Sequence, residues 1–201
     1  MKRVILISLT LTILLTACAS QPTLTLPSVS SDTPKPATLS TSIPPTQESR
    51  IIDLRSGGIT LSVQPELEFD IDDHSINLSS QRGEHIISLN GKPYIASDYT
   101  MESFLGRYVD EMASRGGTFI QSTPYEIEID GATGTAVNIT GTFLDAPVAG
   151  KAFVISPGEN FIVFGLGMSN LTMNKNEWND TGSDIFEILL ASIKFKDEVR
   201  K

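Results

Sequence analysis

A single cysteine, Cys18, occurs in the 201 residues, so the chain forms no internal disulfide and its fold must stand on an apolar core. Histidine is almost as scarce: His74 and His85 are the only two, which excludes a three-histidine zinc site. Past Arg3 no run of lysine or arginine accumulates, and acidic residues outnumber basic ones 24 to 15, a formal charge of -9. Binding to nucleic acid depends on clustered cations that displace counterions from phosphates, so no nucleic-acid partner is expected. Electrostatic adhesion to anionic lipid is disfavoured on the same ground. The nucleophile and metalloprotease patterns Gly-x-Ser-x-Gly, Ser-x-x-Lys and His-Glu-x-x-His are missing. "GLGMSN" begins like a dinucleotide loop but lacks the third glycine and a helix directly after it; Gly165 and Gly167 are expected to relieve crowding beneath a helix or at a strand end.

What is there begins with the placement of that cysteine. Lys2 and Arg3 precede an apolar run from Val4 to Leu15, followed by Thr16, Ala17 and Cys18. The run is too short to span a bilayer, which takes roughly 20 residues, and its layout is that of an export signal. Leu15-Thr16-Ala17-Cys18 resembles the lipobox of bacterial lipoproteins. That resemblance implies a signal peptide over residues 1–17 and a lipid attached to Cys18, with acyl chains such as palmitate whose methylenes each contribute about 0.8 kcal/mol of membrane affinity. Removing Lys2 and Arg3 with the leader leaves 13 basic against 24 acidic residues, a net of -11. The expected place is the extracytoplasmic face of a membrane, the outer one if the organism has two. An ordinary secretory signal with an incidental cysteine is the alternative.

From Ala19 to Arg50, 13 of 32 residues are Ser or Thr and six are Pro, with no aromatic. Such a segment cannot bury enough apolar surface to offset its ordering entropy, so residues 18–50 read as lipidated cysteine plus disordered stalk. As flexible coil it spans roughly 30 Å and as polyproline II up to roughly 100 Å.

Residues 51–201 suffice for one core. "GITLSV" alternates Ile59, Leu61 and Val63 at strand period, with a hairpin turn at Ser56-Gly57-Gly58 back to Ile51–Leu54. "HSINLSS" and "EHIISLNG" read as further strands, the second closed by a turn at Asn90-Gly91. Helical spacing of Met101, Phe104, Leu105, Tyr108 and Met112 predicts a helix capped by Asp98 and stopped by Gly116-Gly117. Strands return in "TFIQSTPYEIEI", "TGTAVNITGTF", "GKAFVIS" and "NFIVFGLGM", with turns at Asp130-Gly131 and Pro157–Asn160, an antiparallel meander. "MSNLTMNKNEWNDTG" reads as a mobile loop, in which Trp178 either recognises a partner or caps the core. A capping box over Thr181 to Asp184 then predicts a second helix burying Ile185, Phe186, Leu189 and Leu190, and Ile193 to Phe195 a last short strand. The fold class is α+β, helices covering an antiparallel sheet.

The order of these elements, with "YTMESFLGRYVDEM", "EIEIDGATG", Trp178 and "FEILLASIKF", resembles the PsbP-like family over roughly residues 51–195. The resemblance implies an αβα sandwich, non-enzymatic and without cofactor, acting as a binding or accessory module for an envelope partner. Two other readings stand beside it. Glu66, Glu68, Asp70, Asp72 and Asp73 with His74 offer oxygen donors and an imidazole for a divalent cation, or the domain holds a small ligand between sheet and helices. A serine, a histidine and an acid converging in space would make a hydrolase.

Overall fold

The computed structural model describes residues 48–94 and 100–201; Cys18, the leader, the stalk up to residue 47 and Asp98 lie outside the described residues. Along the chain run β1 (Arg50–Leu54), β2 (Ile59–Val63), β3 (Leu67–Ile71), β4 (Ser75–Ser80), β5 (His85–Pro93), α1 (Met101–Ser114), β6 (Gly117–Gln121), β7 (Tyr125–Ile129), β8 (Ala132–Phe143), β9 (Ala146–Gly158), β10 (Phe161–Asn170), α2 (Ser183–Ser192) and β11 (Lys194–Phe195). The class is α+β. Strands pair antiparallel throughout, in an eight-stranded sheet ordered β3-β4-β5-β10-β9-β8-β6, with β7 also on β8, and a three-stranded sheet ordered β1-β2-β11.

Alternation along the long strands sends side chains to two apolar layers. On one face Leu105 and Val109 of α1 meet Val137, Ile139, Ala152, Val154, Ile162, Phe164 and Leu166. On the other, Phe153, Ile155 and Val163 meet Phe186, Leu189 and Leu190 of α2, together with Ile59, Leu61 and Val63 of the small sheet. The large sheet is therefore covered by one helix on one side and by a helix plus a small sheet on the other. Burial on both faces is why β10 reads as a near-continuous apolar run.

Several boundaries differ from expectation. Asn90-Gly91 is no turn: β5 continues to Pro93, and Gly91 is glycine because the β1–β2 loop lies on it, a Cβ there falling 1.9 Å from the Gly57 carbonyl oxygen. The cap of α1 is Thr100, not Asp98, its hydroxyl accepting the Ser103 N–H at 3.2 Å. "TFIQSTPYEIEI" breaks at Ser122–Pro124 into two strands laid end to end along β8. No capping box forms at Thr181: a π-helical turn over Trp178–Gly182 runs directly into α2, so the helical segment starts earlier, where the Asn174 carboxamide accepts the Asn176 N–H at 3.0 Å. Asp130-Gly131 is the turn expected, with φ of 48° and 78°.

Candidate functional site

His85 opens β5 and faces Ser169 of β10 across a paired register position. Its Nδ1 lies 2.8 Å from Ser169 Oγ, and its Nε2 lies 3.3 Å from a Glu177 carboxylate oxygen. Glu177 precedes the π-helical turn, and its other oxygen accepts from the Asn174 carboxamide at 3.0 Å. With a neutral imidazole every group is satisfied: Ser169 Oγ–H donates to Nδ1, and Nε2–H donates to Glu177. A serine, a histidine and an acid do converge, in the order nucleophile, base, acid.

The chemistry of that triad is decided by access. Ser169 is wholly buried and His85 nearly so. Gly182 covers the hydroxyl so closely that a Cβ there would fall 2.0 Å from Ser169 Oγ. A cleft of about 420 Å³ beside Glu66, Arg82 and Glu84 reaches His85 and Glu177 but is not lined by Ser169, which lies closed off behind Gly182. What the relay does is fasten: it ties the segment before α2 to the sheet. Trp178, one residue on, packs its ring 6.0 Å from Phe186, so of its two expected roles it takes that of capping the core below α2, and Trp178–Gly182 is helical rather than loop. Gly167 likewise makes room for Phe186, whose ring a Cβ would approach to 2.5 Å.

The acidic run does not converge on a point. Glu66, Glu68 and Asp70 are exposed along an edge strand, while Leu67 is buried and Phe69 half-buried under the Arg50 guanidinium. Asp72 is taken up by its own turn, accepting the N–H groups of His74 and Ser75 at 2.8 and 2.7 Å and the Ser75 hydroxyl at 2.8 Å. Those bonds, the His74 N–H first, hold its carboxyl below the usual aspartate value. Among the described residues no three His, Cys, Asp or Glu side chains come together to hold a metal.

A second polar cluster joins the β7–β8 turn to residues 194–200. Asp130 accepts the Phe195 N–H at 2.9 Å and Lys194 Nζ at 3.0 Å, and pairs with Arg200. Burial pushes the Asp130 carboxyl up, but these bonds and charges together leave it below its ordinary value. The carboxylate thus fixes β11 to the β7–β8 turn.

No family model matches the chain, and no curated protein matches its sequence. Solved structures do. The solution structure of cyanobacterial PsbP (CyanoP) from Synechocystis superposes with a TM-score of 0.54 at 13% identity, covering 74% of this chain and 93% of that one. The fold is PsbP-like. A crystal structure from Bacteroides thetaiotaomicron gives a TM-score of 0.50 at 9% identity over 76% of this chain, which spans 50% of that one. LpqN of Mycobacterium tuberculosis, described as involved in cell envelope biogenesis, gives 0.48 at 10% identity over 69% of this chain and 83% of its own.

The sequence motifs that carried the resemblance, Asp130-Gly131 and Ser192-Ile193-Lys194-Phe195, are the partners in the Asp130 cluster and the β2–β11 junction. The relay was not legible: His85, Ser169 and Glu177 are 84 and 8 residues apart in turn, and only the β5–β10 pairing brings the first two together.

Proposed function

We propose that the chain is a lipoprotein tethered through Cys18, whose PsbP-like domain binds an envelope partner and turns over no substrate. The observation that carries this reading is the closed relay: the one described serine placed on an imidazole and a carboxylate is held behind Gly182, where it ties segments together. Tethering raises the concentration of the domain near its partner, so modest affinity suffices for occupancy. The lipobox, the Pro- and Thr-rich stalk and the acidic balance support the location.

The test is cross-linking in the native envelope followed by purification of the full chain. A discrete, stoichiometric adduct of the wild type supports the reading. Turnover of any ester or glycoside in a broad panel, abolished by Ser169→Ala, contradicts it; the expected result of that substitution is loss of stability of about 1–3 kcal/mol from an imidazole nitrogen left unpaired, with no turnover to lose.

A further inference from the structure

Most of the strongly exposed large apolar side chains among the described residues gather at one end of the large sheet. The pairing registers define a row near that end, Leu67, Ser80, His85, Ser169, Ala149, Thr140 and Ile120, past which β6, β8 and β9 pair further, to Gly117, Phe143 and Ala146. Past it project the β8–β9 turn at Leu144-Asp145 and the segment after β10. The two are joined where the Leu171 N–H donates to the Pro147 carbonyl at 2.8 Å.

Leu144 is 67% exposed and Met173 is 94% exposed. Leu144 also stands at φ 48°, followed by Asp145 at 64°, a two-residue turn that favours Asn, Asp or Gly. A leucine in that conformation costs about 1–2 kcal/mol and, lying against Gly116, recovers little of it by burial. Ile120 and Ile86 lie on or beside the same row, both exposed. Of the remaining exposed ones, Ile71 ends β3 away from that row, in register with Ile76, Leu89 and Gly165, and Ile188 lies on α2.

The chain enters the domain at this same end. Arg50 donates to the Leu67 carbonyl and its guanidinium lies 4.4 Å from the Phe69 ring, while the exposed Ile51 follows it. The first described strand thus begins at the end of the sheet that carries the exposed tips.

We infer that this rim rests on the lipid surface to which the chain is tethered, with Leu144 and Met173 entering the headgroup boundary. This rests on the anchored reading above. The occupant is zwitterionic lipid, because Asp145 and Glu84 share the rim with Arg82 and Lys175 and a mature charge of -11 is repelled by anionic headgroups. Two apolar tips bind weakly by themselves; the tether supplies the concentration.

The experiment places an environment-sensitive fluorophore on an introduced thiol by Leu144→Cys, Met173→Cys or, as control, Ile71→Cys. Each full chain is reconstituted in phosphatidylcholine vesicles through its own anchor. In a second arm the chain carries Cys18→Ser and a histidine tag in place of the leader, and is held on the same vesicles by a nickel-chelating lipid. The expected result in both arms is a blue-shifted emission at 144 and 173 that lipid nitroxides quench, with a water-like emission at 71. Failure of the first arm to float with vesicles, with the shift intact in the second, contradicts the anchor and supports this inference. Water-like emission at 144 and 173 in the second arm overturns the inference whatever the anchor does. A shift present without vesicles and growing with protein concentration assigns the rim to a second copy and also overturns it.

Discussion

Gly182 and Ser169 compete for one space, and the competition is what closes the relay. Gly182→Ala drives a methyl into the Ser169 hydroxyl, and lifting the segment strands His85 between two lost partners. The expected cost is about 1–3 kcal/mol, read as a lower urea midpoint with an unchanged slope. Asp130 is the other residue on which several bonds converge. Asp130→Asn weakens bonds to two cations and gives the donating Phe195 N–H a weaker partner oxygen, at an expected cost of about 1.5–3 kcal/mol near neutral pH. Because the folded carboxyl titrates below the ~3.9 of an unfolded aspartate, its contribution is fully present above that value. It is lost as pH falls through the lower folded value. The stability gap between wild type and Asp130→Asn therefore narrows on acidification, and a gap that widens contradicts this assignment.

Elements show where sequence pattern suffices and where it does not. The β1–β2 hairpin, the stripe of α1 and the apolar face of α2 were legible because each depends on local periodicity: Leu105 and Val109, or Phe186, Leu189 and Leu190, point inward whatever lies opposite. Asn90-Gly91 misled because glycine serves both positive φ and close backbone contact, and only the β1–β2 loop lying on β5 distinguishes them. The Thr181 motif misled because a helical turn already precedes it, leaving no free N–H groups to cap. At Leu144-Asp145 the turn left little signature, since Asp145 suits its φ but Leu144 does not. Leu144→Asn, which tolerates that conformation, should raise stability by a few tenths to about 1 kcal/mol. Thermal unfolding checks this, and a loss of stability would mean that Leu144 packs within the fold. The relay was illegible for a different reason: its geometry is a product of sheet order, which no local window contains.

For the whole molecule the account is one of position. An acidic domain with a PsbP-like core, a serine buried behind Gly182 and apolar tips at the end of the sheet where its first strand begins fits the proposed role in contact near a surface. The proposed function depends on whether Cys18 carries a lipid. Metabolic labelling with palmitate in the native host, followed by purification of the full chain, measures it directly. The account predicts label on the wild type and none on Cys18→Ser. A wild-type chain without label, or equal label on both, contradicts it.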